Sequence, residues 1–353
     1  MMKVAIFGDL FVTNDVLQAA LESAFAGSGI DFEYVYFTTQ WPVQPVMYTD
    51  EVREFVGNEN ELIDLVADVE MLLTHTAPIT QKVLDSAPNL KVVGAARGGP
   101  VNINWDACTA RGIPVLYAPG RNSGAVAEFT VGLILAQTRN ITLSHMSMVN
   151  EKRWRGDLYV YDAVGKELNS SIIGLIGLGA IGKKVVKNLS GFGSEILVHD
   201  PFVDEAEIKE LGCTPVSLNE LLEKSDIISL HNRSNEETKG MIGAEQIKRM
   251  KNTAYLINTA RGELIDHDAL YQALKEKRIA GAALDVFEAE PPPDDSPLFE
   301  LENVSIATHL GGASRQAAEI GAEVLAKEVH SFIVEKKSPQ YLTNPDFNKV
   351  LDP

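Results

Sequence analysis

Midway along the chain, Gly174-Leu175-Ile176-Gly177-Leu178-Gly179-Ala180-Ile181-Gly182 sets glycines in the order G-x-G-x-x-G between an apolar stretch and an amphipathic one. Residues 171–176 are short, apolar and without alternation, which reads as a buried parallel strand. Over 180–189, Ile181, Val185, Val186 and Leu189 share one helical face. At such a strand–turn–helix, Gly177 permits the tight turn and Gly179 lets backbone approach a pyrophosphate, while Gly182 allows close helix–strand packing. Ala180 and Ile181 open the helix, whose first N–H groups then face phosphates. Alone, the motif also fits a plain glycine-rich helix–strand contact.

The next strand, 195–199, ends at Asp200, 18 residues after Gly182. That is close to the spacing of about 20 typical of the acid that binds a ribose 2′-hydroxyl. An acid there repels a 2′-phosphate, and no Lys or Arg occurs in 201–204, so NAD is expected rather than NADP.

The motif's position matters as much as its content. More than 170 residues precede it, and 353 residues are enough for two domains. The first 118 residues have their own β/α rhythm. Strands are expected at 3–7, 32–37, 71–74, 91–95 and 114–117, with helices around 16–25, 59–66, 81–85 and 104–111. The stretch 41–48, with Pro42 and Pro45, reads as a loop. One long helix is expected over 125–147, as a domain connector or as a surface for a second subunit. Residues 152–170 read as loop. Further strands follow at 227–230, 254–258, 281–286 and 304–307, with helices at 267–276, capped by Asp266, and 315–334. The expected fold is α/β with two doubly wound parallel-sheet domains. A Rossmann NAD domain (120–311) is inserted in a flavodoxin-like substrate domain (1–119 and 312–353), with the ligands in the cleft between them.

Composition narrows the class. The net charge of −18 argues against nucleic-acid and anionic-membrane partners. Two separated cysteines suggest neither a disulfide framework nor a metal site, and the histidines lack metal-binding spacings. The N-terminal apolar run is too short for a signal peptide or a span, so a cytoplasmic enzyme is expected.

Three strand ends beyond Asp200 carry reactive side chains: Arg261 in Asn258-Thr259-Ala260-Arg261-Gly262, Glu290 in Asp285-Val286-Phe287-Glu288-Ala289-Glu290-Pro291, and His309 in Thr308-His309-Leu310-Gly311-Gly312. Singly, these are a surface arginine, a solvated acid and a packing histidine. Together, at the carboxyl ends of parallel strands after a dinucleotide motif, they suit hydride transfer at C2 of a 2-hydroxy acid. Arg261 can pair with a carboxylate in two-pronged geometry. His309 can donate a proton to a carbonyl oxygen, and Glu290 beside it would favour the imidazolium.

At these motifs the chain resembles the D-isomer-specific 2-hydroxyacid dehydrogenases, which include phosphoglycerate, glycerate and D-lactate dehydrogenases. The resemblance implies that Arg261 binds substrate, that Glu290 assists the acid/base His309, and that Asp285 bonds the nicotinamide amide. It places His231, Thr259 and Ala260 against the cofactor, and Arg97, Gly98 and Gly99 in a loop that holds the substrate carboxylate. It implies a homodimer built on the 125–147 helix. The chain departs from the phosphoglycerate type at Gly124, where Arg is usual, in His231-Asn232-Arg233-Ser234-Asn235, which lacks the usual proline, and at Thr74-His75-Thr76, which lacks an Arg. Arg121, Thr74, His75 and Trp154 are expected near the substrate's variable part. The chain ends soon after its last helix, so no further regulatory domain is expected. Two other readings are an NADH-sensing scaffold and a formate dehydrogenase, the latter opposed by Glu290 where that branch has Gln.

Overall fold

Apolar runs that lack alternation become the central strands of two parallel sheets in the computed structural model, which describes residues 1–350. The chain divides into one unit of Met1–Asn122 with Ser314–Pro353 and another of Ser123–Ala313.

The first unit contains β1 (Met2–Gly8), α1 (Asn14–Ala24), β2 (Phe32–Thr38), β3 (Met47–Tyr48), β4 (Arg53–Phe55), β5 (Met71–Thr74), α2 (Gln81–Asp85), β6 (Val92–Ala95), α3 (Trp105–Ala110) and β7 (Val115–Tyr117). Its main sheet runs β2-β1-β5-β6-β7, all parallel. Thr13, Thr80 and Asn104 start the three helices by accepting from Val16, Val83 and Ala107 N–H. Two expectations fail here. The end of the expected 41–48 loop forms β3, which pairs antiparallel with β4. That hairpin is held by Thr49 N–H donating to Val52 O and Arg53 N–H to Val101 O, contacts that local composition does not signal. The expected 59–66 helix is a single 3-10 turn, Glu59–Glu61, followed by further i→i+3 turns at Leu65 and Val69. Leu62, Val66 and Val69 are buried in this way without a continuous helix.

The second unit contains α4 (Ser123–Thr138), α5 (Ile141–Asn150), β8 (Ile172–Ile176), α6 (Ala180–Leu189), β9 (Glu195–His199), α7 (Glu205–Glu210), β10 (Thr214–Pro215), α8 (Leu218–Lys224), β11 (Ile227–Leu230), α9 (Ala244–Arg249), β12 (Tyr255–Asn258), α10 (His267–Lys275), β13 (Gly281–Leu284) and β14 (Val304–Ile306). The sheet order is β10-β9-β8-β11-β12-β13-β14, so its direction of winding reverses between β8 and β11. Open parallel sheets bind ligands at the strand carboxyl ends beside such a reversal.

The single helix expected over 125–147 is broken. Asn140 adopts φ 56°, in the left-handed region that Asn tolerates better than most residues. Its Nδ2 donates to Ala163 O at 3.2 Å, and Gly165 lies against Thr138 O, so a loop segment seats on the break.

The chain then returns to the first unit as α11 (Arg315–Ile333), started by the Ser314 hydroxyl on Ala317 N–H. Ala318, Ala322, Leu325 and Val329 of α11 pack on Val4, Ile6, Met71 and Val92. Leu325 is fully buried there, and truncating it to Ala would cost about 2–5 kcal/mol. Among the described residues, no helix is long and apolar enough to cross a membrane.

Candidate active site

The glycine turn sits at the β8–β11 reversal. Gly177 has φ +97°, and a Cβ on it would lie 2.6 Å from Asn232 N, so only glycine fits. Gly179 and Ala180 are exposed, and a Cβ on Gly179 would meet nothing within 4 Å. No side chain caps the N-terminus of α6. Ile181 is half-buried and Gly182 is packed under the turn against Gly177 O. Asp200 braces the turn by accepting from Leu178 N–H at 2.7 Å and from Phe202 N–H at 2.9 Å. Beside Gly177, His231 Nε2 meets the Ser229 hydroxyl at 2.9 Å, while its Nδ1 and the Oδ1 of Asn232 are buried without a partner. Burial pushes His231 down to about 4, so the ring is neutral. An open backbone cradle at a helix N-terminus, with orphaned polar atoms beside it, fits a dinucleotide.

The β12, β13 and β14 ends carry the reactive set. The Asn258 side chain pins the first loop by accepting from Ala260 N–H and donating to Arg261 O. Thr259 is buried and shares a 2.8 Å hydrogen bond with Thr130 of α4, and Ala260 is buried beside it. The exposed Arg261 donates to Ala260 O and forms no ion pair among the described residues. Gly262 permits a close approach, because a Cβ there would overlap the Phe287 carbonyl at 1.9–2.1 Å. The Arg261 loop therefore lies directly on the loop that carries Glu290.

Glu290 Oε1 accepts from Phe287 N–H at 3.0 Å, and its Oε2 is 2.6 Å from His309 Nδ1. His309 has φ 55°, a strained conformation for a residue with a Cβ, costing of order 1–3 kcal/mol. The buried Asp285 compensates. Its carbonyl accepts from His309 N–H, and its carboxylate accepts from Leu310 and Gly311 N–H, all at 2.8 Å. Sequence reasoning gave Asp285 a cofactor contact and missed this clamp on the His309 backbone.

The electrostatics follow from these contacts. The hydrogen bond from His309 to Glu290 raises the imidazole above its ordinary 6.5, against burial and the Arg261 charge. Burial pushes Glu290 up, but bonds from His309 and Phe287 and the nearby cations hold it below the usual carboxylate range. Burial raises Asp285, despite its two backbone donors. With Nδ1 engaged by Glu290, Nε2 is the ring nitrogen that can meet a ligand.

In the other unit, Gly98 and Gly99 are exposed, and a Cβ on either would meet nothing within 4 Å. Arg97 is half-buried in an ion pair with Glu54 and also donates to Glu54 O. A second histidine–carboxylate pair lies in this unit, and the sequence reading did not find it. Asp9 follows β1 and His75 follows β5, its neighbour strand, and His75 Nδ1 is 2.6 Å from Asp9 Oδ2. Polar residues just beyond two adjacent parallel strands were the available signal. Arg121 meets His75 Nε2 at 2.9 Å. Thr74 donates to Phe7 O, and Trp154 is exposed.

The model of the D-isomer specific 2-hydroxyacid dehydrogenase NAD binding domain matches residues 131–311. A glyoxylate reductase of Korarchaeum cryptofilum is 40% identical over 293 residues, 83% of this chain and 88% of that protein. A D-3-phosphoglycerate dehydrogenase of Methanocaldococcus jannaschii is 40% identical over 282 residues, 79% of this chain and 53% of that one. The NAD-complexed crystal structure of a D-isomer specific 2-hydroxyacid dehydrogenase from Lactobacillus delbrueckii ssp. bulgaricus shares the fold. Its TM-score is 0.76 at 24% identity, over 97% of this chain and 100% of that one.

Proposed function

The chain belongs to the D-isomer specific 2-hydroxyacid dehydrogenase family, and we propose that it interconverts a small 2-keto acid and its (R)-2-hydroxy acid with His309 as the acid/base. Members of this family are NAD-dependent oxidoreductases acting on CH–OH groups. The observation that carries the proposal is the 2.6 Å Glu290–His309 pair on a clamped, strained backbone beside Arg261.

The reduced nicotinamide, when bound, supplies a hydride to C2. The first-turn N–H groups of Ala180 and Ile181 would hold the pyrophosphate, and Asp200 would take the ribose hydroxyls. Arg261 holds the substrate carboxylate through its two-pronged guanidinium. His309 Nε2–H donates its proton to the carbonyl oxygen as C2 becomes tetrahedral, and Glu290 stabilises the imidazolium beforehand. Running in reverse, neutral His309 takes the hydroxyl proton.

Glyoxylate is the first substrate to try, given the name of the K. cryptofilum relative. NADH oxidation with glyoxylate, hydroxypyruvate and pyruvate tests the reading. Turnover in the wild type that is lost in His309→Ala, with NADH binding kept, supports it. NADH binding with no turnover on any 2-keto acid would instead favour a sensing scaffold, and formate-driven NAD reduction would favour a formate dehydrogenase.

Gly179→Ala separates cofactor recognition from folding. The added methyl meets no protein atom, so Tm should hold while NADH affinity falls by about tenfold or more. The reading includes a homodimer. Ile141, Met146, Met148 and Val149 of α5, and Trp154, Tyr159 and Tyr161 after it, expose apolar surface suited to a second copy.

A further inference from the structure

His267 is the first residue of α10, but Asp266 starts that helix, its carboxylate accepting from Ala269 N–H at 3.0 Å. The half-buried imidazole of His267 is engaged elsewhere. Its Nε2 is 3.3 Å from Gly262 O. A carbonyl only accepts, so Nε2 carries the hydrogen in this contact, in the neutral ring as in the charged one. The centroid of the His267 ring lies 6.3 Å from that of Phe287, with the planes tilted by 52°.

These two partners belong to two different loops of the site. Gly262 directly follows Arg261, and Phe287 N–H donates to Glu290 Oε1 at 3.0 Å. The loops also touch each other, because Gly262 packs on the Phe287 carbonyl. The rest of the Arg261 turn is held by other groups. Arg261 O accepts from the Asn258 side chain, Glu263 O from Gly240 N–H at 2.7 Å, and Leu264 O from Ile242 N–H at 3.0 Å. Gly262 O accepts from Ile265 N–H at 3.1 Å and from His267. His267 is therefore the side chain that joins the peptide after Arg261 to the ring beside the Glu290 anchor. Filling the space next to Phe287 would need a ring alone, with no donor aimed at a carbonyl.

The charged groups that act on His309 are Glu290, Asp285 and Arg261. Asp285 is fixed by Leu310 and Gly311 N–H, and Glu290 by Phe287 N–H. A displacement of Phe287 thus reaches His309 through Glu290, while a displacement of Gly262 reaches Arg261. Groups behind a site set the geometry of those that meet the ligand.

We infer that His267 is a positioning residue, which holds the Arg261 turn through Gly262 O and the Glu290 loop through the Phe287 ring and so fixes the two in one geometry. All of its contacts lie within the unit Ser123–Ala313. The inference rests on the roles proposed above for Arg261, Glu290 and His309.

Substitutions separate the two contacts. His267→Phe keeps a ring beside Phe287 and loses the donor. His267→Gln keeps a side-chain donor and loses the ring, and His267→Ala loses both. In keto-acid reduction by the NADH-loaded protein, His267→Ala should lower kcat/KM by about tenfold, as expected when reacting groups are slightly misplaced. The loss in His267→Phe should fall on KM, through Arg261. In His267→Gln the KM at neutral pH should hold, and the alkaline fall of kcat/KM should begin at lower pH than in the wild type, through Glu290. Changes in Tm alone, with KM and the alkaline fall unmoved in all three variants, overturn the inference and leave a packing residue. An equal loss in all three, with neither Phe nor Gln restoring its share, does the same.

The titration of the His309 imidazole by NMR, assigned with His309→Ala, is a readout independent of turnover. Its midpoint should be lower in His267→Gln and His267→Ala than in the wild type, and unchanged in His267→Phe. That pattern without turnover of any 2-keto acid keeps the positioning role and rejects the reaction. Turnover by the wild type, with one midpoint shared by all four proteins, keeps the reaction and rejects the positioning role.

Discussion

The two units each hold a histidine 2.6 Å from a carboxylate, and the two histidines are shifted in opposite directions. In the Asp9–His75 pair the side chains are 0% and 3% exposed, and desolvation outweighs the carboxylate, so His75 falls to about 4. In the Glu290–His309 pair they are 36% and 50% exposed, and the carboxylate wins, so His309 rises above 6.5. The same contact therefore leaves one ring a neutral acceptor and favours the protonated form of the other. Donor–acceptor distance does not assign the role of such a pair; burial does.

The largest expected effect breaks the exposed pair. His309→Ala should lower kcat for keto-acid reduction by about 10²–10⁴-fold, with Tm and NADH affinity nearly unchanged. Retained turnover would remove His309 from the chemistry. Arg261→Met should lower kcat/KM by about 10²-fold through lost carboxylate pairing, again with little change in Tm, since Arg261 is exposed and unpaired.

The buried pair should answer in stability. His75→Ala strands the Asp9 carboxylate and frees Arg121, at a cost of about 3 kcal/mol in denaturant unfolding. A cost near zero would show that the pair does not stabilise the fold. The pH dependence sharpens the contrast. As pH falls from 6.5 toward 4, the unfolded chain binds a proton that folded His75 refuses, so stability falls with falling pH in that window. The loss between pH 7 and 5 is about 2 kcal/mol, and His231, also held at about 4, adds a further loss of the same sign. His309 has the opposite sign, its contribution being complete below 6.5 and lost as pH rises through its folded value. His75→Asn should flatten the acid-side loss.

What the sequence disclosed divides along the same line. The glycine turn, Asp200 and the strand ends with Arg261, Glu290 and His309 were legible because each is written in a few consecutive residues. The set comes together because parallel strands bring their carboxyl ends to one edge. The break at Asn140 was hidden because it depends on one left-handed residue and on the Ala163–Gly165 segment packing there, which no helical periodicity records. The β3–β4 hairpin was hidden because its strands are two and three residues long and it is anchored by Val101. The Asp9–His75–Arg121 network was hidden because its members lie 46 to 112 positions apart and meet only through β1–β5 adjacency and the return of α11. The clamp of Asp285 on His309 was missed because backbone N–H groups, which leave no trace in side-chain identity, make most of it.

The pH dependence of kcat/KM for glyoxylate reduction, in the wild type and in Glu290→Gln, tests the central claim most directly. In the wild type the rate should hold through neutral pH and fall as pH rises past the raised value of His309. In Glu290→Gln the fall should begin at lower pH, because the carboxylate that holds the proton on His309 is gone. An identical alkaline limb in both proteins would contradict the assignment of the Glu290–His309 pair as the proton donor.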